Sequence, residues 1–241
     1  MNKQNTDKTF FEYCTALTQF YGIIHVKEAF DIIQFQNDAQ YNLEDFLKYV
    51  EQMQETRFDP NDPLKVNSYF VLADLNRCKR TEKMYLVNDC FESECYGEGE
   101  LETLNNLLLA IDKLERYIPS KEELVKHVDD GYYEKTQELE ALCDFVLAHQ
   151  CKLPMKLTRA DIESEVILPI QMDSSCADAY KGLCKWIDWP EDPKARDSIE
   201  VEMVRLINGV FWNTRQWLLC GHKPIELDNR SVTTIDAAWD E

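Results

Sequence analysis

Most of the short motifs by which a sequence announces its chemistry are missing from this chain of 241 residues. There is no GxxxxGK phosphate loop, no GxGxxG, no GxSxG elbow and no HExxH, which excludes the enzymes that depend on those patterns and only those. No window approaches the ~20 apolar residues that a membrane-spanning helix requires, and the N-terminal MNKQNTDKTFF holds no apolar run of signal-peptide length. Neither insertion nor export is expected. Repeats of fixed period and low-complexity tracts are also absent.

Positive charge is scarce. Against 45 Asp and Glu there are 26 Lys and Arg, a formal net charge of -19. A field of that sign repels nucleic-acid phosphates and anionic membrane surfaces at long range, and it favours protein partners, basic ones above all. The excess runs through the whole chain: residues 1–100 carry 10 basic and 18 acidic groups, 101–150 carry 5 and 11, and 151–241 carry 11 and 16. No acidic tail is attached to a neutral body, so a general outward field is expected.

Nine cysteines are present, at 14, 78, 90, 95, 143, 151, 176, 184 and 220. The number is odd, the spacing irregular, and most lie among apolar residues of helical segments, where free cysteine behaves as a small hydrophobe. A reducing cytoplasm fits that usage. A structural zinc needs four donors, and without a CxxC pair the set would have to be assembled from Cys220 and His222 with His149 and Cys151, or with Cys90 and Cys95. Core cysteines and a helix-end histidine account for the same residues, and no metal or other cofactor is expected.

What is there is helical periodicity with one interruption. Phe10, Cys14, Leu17, Tyr21 and Ile24 mark a first helix ending near Gly22. Val26, Ala29, Phe30 and Ile33 mark a second, and Leu43, Phe46, Leu47, Val50 and Met53 a third, with Asn42 as N-cap. FDPNDP then breaks helix and leads into the strand run VNSYFVLAD, whose hairpin partner is MYLVND, residues 84–89. Leu101, Leu104, Leu108, Ile111 and Leu114 predict a helix closed before Pro119, and Ser120 with Glu123 has capping-box spacing. Leu139, Leu142, Cys143, Val146 and Leu147 carry another. HQCKLPMKL reads as a linker, and Thr158 with Asp161 opens the last third. There Pro169 should kink or end a helix, and Asp197 with Glu200 should cap the final one, which should end near Cys220 and Gly221.

The fold class is therefore mainly α with a small β-hairpin (α+β). A winged-helix-like portion spans 1–97, a central helical portion 98–150, a C-terminal helical subdomain 151–227, and a loosely held tail 228–241.

Two clusters invite a functional reading. Arg77, Lys79, Arg80 and Lys83 form the only basic cluster, at the hairpin tip, and a winged helix with such a tip suggests nucleic-acid binding. The third helix would then read the bases, yet it offers Glu44, Asp45 and Glu51 with Lys48 as its sole cation, where base edges and phosphates favour Arg, Lys, Asn and Gln. A solvated hairpin tip is the preferred reading. In ADIESEV, Asp161 and Glu165 share a helix face and could hold a divalent cation, but acidic residues early in a helix also complement its dipole, and no nucleophile or base accompanies them.

Three patches, YGIIHVKEAFDI near residue 21, PSKEELVKHVDDGYYEKTQELEALCDFV from 119 and NTRQWLLCGHKPIEL from 213, resemble segments of an uncharacterised group of bacterial proteins, many of which end in a cysteine-rich SEC-C zinc motif. The resemblance covers about a third of the chain and implies a shared, mostly helical scaffold with no established activity. The SEC-C cysteines themselves are absent, so a role tied to that metal is not carried over. The sequence thus leads to the expectation of a non-enzymatic, acidic protein-interaction or regulatory module in the cytoplasm. A winged-helix nucleic-acid binder using the basic tip is the alternative, and contact with a membrane is not expected.

Overall fold

Gly22 is where the first apolar stripe changes its meaning. α1 (Lys3–Tyr21) buries Phe10, Cys14, Leu17 and Tyr21, as their spacing predicts. Gly22 then takes φ 71°, a left-handed geometry that glycine adopts without steric cost, and the chain leaves the helix. Ile24 continues the helical period in sequence, but it belongs to a strand, β1 (Ile23–His25), which the sequence reading missed. A fully buried isoleucine satisfies either pattern, so the glycine decides.

The structure, a computed structural model, describes residues 3–37, 40–56, 70–74, 84–91, 107–109, 113–129, 131–151, 157–173 and 175–227. Within the described residues the chain is mainly α-helical with one small antiparallel sheet. It divides into two compact units, Met1–Tyr132 and Tyr133–Glu241.

In the first unit β1 is followed by α2 (Val26–Asn37) and α3 (Leu43–Thr56), then by β2 (Phe70–Asp74) and β3 (Met84–Asn88). The hairpin pairing is as predicted, with Leu72 opposite Leu86, and β1 adds to the other side of β3 with Ile24 opposite Leu86, giving the strand order β1-β3-β2. Helix, strand, two helices and a hairpin with this strand order are the arrangement of a winged helix-turn-helix. Asn42 caps α3 as expected: its Oδ1 accepts from the Glu44 amide at 2.8 Å. The core gathers Phe10, Leu17 and Phe20 of α1, Ile33 of α2, Phe46 and Val50 of α3 and Leu86 of β3. Of the helix predicted over Leu101–Leu114, residues 107–109 are helical, Leu114 lies at a bend, and the rest is outside the described residues.

The segment that follows is tied down by polar contacts. The Tyr21 hydroxyl donates to the Tyr117 carbonyl at 2.7 Å, and Arg116 lies over the Tyr21 ring while its Nε donates to Glu28 at 3.0 Å. Ser120 then caps α4 (Lys121–Leu124) by accepting from the Glu123 amide, the spacing read from sequence.

The second unit is helical: α5 (Gln137–His149), α6 (Arg159–Asp173), α7 (Cys176–Cys184) and α8 (Pro193–Asn213). Leu142, Val146, Ile162, Val166, Ile170, Leu183, Met203 and Val210 share one core. The sequence reading assigns 139–147 to a central portion ending at 150, whereas α5 packs with the helices that follow it, because residues 149–151 bridge back to 186–188. Gln150 pairs with Ile187, and the Cys151 amide donates to the Trp186 carbonyl at 2.8 Å.

Three boundaries differ from expectation. Pro169 does not end α6, which runs on to Asp173; the Glu165 carbonyl forgoes its helical donor instead. The last helix starts at Pro193 behind Asp192 rather than at Asp197, because proline suits the first helical position. That helix ends at Asn213, seven residues before Cys220. Residues 214–221 then turn, with Cys220 at φ 53° and Gly221 at φ 82°. A short 3-10 helix follows over Pro224–Glu226, opened by the proline. No described helix is long and apolar enough to cross a membrane.

Candidate functional site

The residues that the sequence singled out do not converge. Arg77, Lys79, Arg80 and Lys83 lie outside the described residues. Asp161, in the first turn of α6, reaches back to Thr158 just ahead of the helix: its carboxylate accepts from the Thr158 hydroxyl at 2.6 Å and amide at 2.8 Å, and these bonds hold its carboxyl below the usual range. Glu163, buried, pairs with Lys135, and Glu165 pairs with Lys185 at 2.9 Å. Three carboxylates adjacent in sequence thus serve three separate structural contacts.

Nor do the described metal candidates meet. His149 shares a hydrogen bond with the Phe145 carbonyl at 2.8 Å, and Cys220 is fully buried. Cys90 is exposed, and Cys95 is outside the described residues. Among the described residues no three His, Cys, Asp or Glu side chains are grouped to hold a metal ion.

The conspicuous residues of NTRQWLLCGHKPIEL build an anchored turn. Trp217 is buried in the second unit, and its amide donates to the Gln171 carbonyl of α6 at 2.9 Å. Arg215 bonds the Gly221 carbonyl and the Glu226 carboxylate, and Lys223 bonds Glu134 at 2.6 Å. The polar side chains close a charged bracket around the turn, which explains their density without chemistry.

A cavity lies elsewhere, in the first unit, between the first turns of α1 and the outer side of α3; its volume is about 540 Å³. That size suits a small-molecule or side-chain ligand. Its construction follows from local sequence. The Gln34 side chain accepts from the Tyr41 amide at 3.0 Å and donates to the Tyr41 carbonyl at 2.9 Å, fixing the loop after α2. Tyr41 thereby sits against Phe10, ring centroids 5.2 Å apart, and Tyr49 of α3 meets the same phenylalanine at 5.6 Å. Phe10 is in turn locked edge-on against Phe46 at 5.1 Å, so the aromatic floor of the cleft is the edge of the core itself.

The rim is polar. Asp7 of α1 and Asp45 of α3 line it, together with Gln40, Asn42 and Lys48. Lys48 is held by Glu44, one helical turn away, at 2.8 Å, an exposed pair that keeps the Glu44 carboxyl below the usual range. Burial pushes the Tyr49 phenol well above its ordinary range, aided by the neighbouring Cys14 and Asp7. Along residues 43–53 of α3 the exposed positions are Glu44, Asp45, Lys48, Glu51 and Gln52, an outward face with three acids and one cation.

The sequence named the acids of α3 but not the cleft. Phe10 was legible as a core residue, whereas Asp7, Tyr41 and Tyr49 gave no periodic signal linking them. No protein-family model matches the chain, and neither a curated protein nor a solved structure matches it.

Proposed function

We propose that the protein is a non-catalytic interaction module that presents the outer face of α3 to a basic protein partner. The observation that carries this reading is the charge of that face. In the winged helix-turn-helix arrangement the third helix is the element that enters the DNA groove. Here that position exposes Glu44, Asp45 and Glu51, and the single cation, Lys48, is already engaged by Glu44. Phosphates approaching such a surface are repelled, whereas Lys and Arg side chains are attracted and steered. The net charge of -19 extends the same field over longer range.

The topology alone favours a second reading, nucleic-acid binding through the basic residues Arg77, Lys79, Arg80 and Lys83. One experiment separates the two. Fluorescence anisotropy at physiological salt should show binding of a labelled basic polypeptide that weakens as salt rises, and no retention of a labelled duplex. Glu44→Gln with Glu51→Gln should weaken the polypeptide complex, while the same loss of charge at the exposed Glu191 and Asp197 should leave it as tight. A duplex that binds, and is released when the four basic residues are neutralised, replaces this reading with the second.

A further inference from the structure

We infer that the cleft between α1 and α3 is a socket for an arginine side chain of the basic partner, an inference that rests on the interaction reading and specifies its anchor. The argument is one of complementarity between floor, rim and ligand. The floor is aromatic and rigid: Phe10 is 1% exposed, clamped by Phe46, and flanked by the half-buried rings of Tyr41 and Tyr49. The rim carries two carboxylates from different elements, Asp7 and Asp45, and neither has an ion-pair partner among the described residues. Lys48, at the same rim, is hydrogen-bonded to Glu44 and has Asp45 as a weaker electrostatic neighbour, so the rim keeps an excess of negative charge.

Each alternative ligand class fails on one of these features. An anion would meet Asp7 and Asp45. A neutral apolar group would desolvate both carboxylates without compensation. A bare divalent cation needs several oxygen ligands converging on one point, and no three acidic, imidazole or thiol groups converge here among the described residues. An organic cation satisfies both parts, its charge against the carboxylates and its body against the rings. Between the two cationic side chains, guanidinium is planar, stacks on aromatic faces, is less strongly hydrated than ammonium and can hold a carboxylate through two parallel N–H donors. The amide side chain of Gln40 at the rim offers a further carbonyl acceptor.

The socket predicts a side-chain preference that a diffuse acidic field does not. Three labelled peptides of alternating glycine with arginine, lysine or citrulline, titrated by anisotropy at physiological salt, read that preference. Citrulline keeps the shape of arginine without its charge. The arginine peptide should bind severalfold tighter than the lysine peptide, and Asp45→Asn, at an exposed position, should weaken it about tenfold, the scale of one charge-assisted hydrogen bond. Titration of the wild-type protein with N-acetylarginine amide should shift the NMR signals of Asp7, Tyr41, Asp45 and Tyr49, a readout independent of any variant.

Equal binding of the arginine and lysine peptides, undiminished by Asp45→Asn but weakened by Glu44→Gln with Glu51→Gln, overturns the socket and leaves the acidic-face reading standing. Absence of binding by either cationic peptide overturns both. Tight binding of the citrulline peptide overturns the cationic assignment of the cleft.

Discussion

Arg215 donates through Nη1 to the main-chain carbonyl of Gly221, 3.0 Å away, and so closes the turn between the end of α8 and the short helix at Pro224. Its side chain is only 9% exposed, with Glu226 at 3.2 Å and Glu134 at 3.8 Å as counter-charges. Arg215 is the buried member of the set, while both carboxylates reach solvent and Glu134 keeps Lys223, so Arg215→Ala should cost the second unit about 2 kcal/mol, chiefly its hydrogen bonds to Gly221 and Glu226. Arg215→Lys keeps the charge but loses the fork that spans carbonyl and carboxylate, and should cost about half as much. All five tryptophans lie at residue 186 or beyond, so denaturant unfolding followed by intrinsic fluorescence reports on this unit. Unchanged midpoints for both variants would show that the bracket is ornamental.

Gly22 predicts a backbone effect in the first unit. At φ 71° an added Cβ is strained, and the Gly22 carbonyl accepts from the Asn88 amide at 2.8 Å, joining the end of α1 to the end of β3. Gly22→Ala should therefore destabilise by about 1–2 kcal/mol. Thermal unfolding followed by circular dichroism measures it, since this unit contains no tryptophan. An equal or higher melting temperature would mean that the turn relaxes to another geometry.

How much of this was legible beforehand depends on the physics of each feature. The apolar stripes of α1, α2, α3 and α5 were read correctly because burial on one helix face leaves a period in the sequence. The hairpin followed from β-branched and aromatic runs bounded by breakers. β1 was hidden because three residues are too few to show alternation, and Ile24 also fits the helical period. The ends of α8 were misplaced at both sides: the capping pattern at Asp197 competed with Pro193, and Gly221 marks the end of a turn instead of a helix. The cleft was illegible for a different reason. Asp7, Tyr41 and Asp45 come together only through tertiary packing of α1 on α3.

Gly182 offers a test in which two effects oppose. It lies inside α7, where glycine is about 1 kcal/mol less favourable than alanine. A Cβ there would come within 2.7 Å of the Glu165 Oε2. That atom is the end of a flexible side chain, a third exposed and, among the described residues, paired only with the exposed Lys185, so moving it forfeits a contact of less than about 1 kcal/mol. Gly182→Ala should leave stability unchanged or raise it slightly. A loss above about 2 kcal/mol in the fluorescence-monitored transition would show that Glu165 is held far more firmly than one exposed ion pair allows.

The described cysteines should divide sharply by reactivity, because the thiolate is the nucleophile and burial opposes its formation. Burial pushes Cys143 up to about 11 and Cys176 up to about 12, and Cys14 is raised further, while Cys90 is exposed. Iodoacetamide at neutral pH, with peptide mapping, should label Cys90 early and leave Cys14, Cys143 and Cys176 untouched until the protein is denatured. The same shifts set a pH dependence. Unfolded thiols release their protons from about pH 9, whereas the native state keeps Cys143 protonated to about 11. The native state then binds more protons than the unfolded one, so this contribution is fully present below pH 9 and is lost as pH rises through 11. Unfolding midpoints should fall across that interval, and Cys143→Ala should flatten the decline. Labelling of Cys143 at the rate of Cys90 in native buffer would contradict its placement in the core.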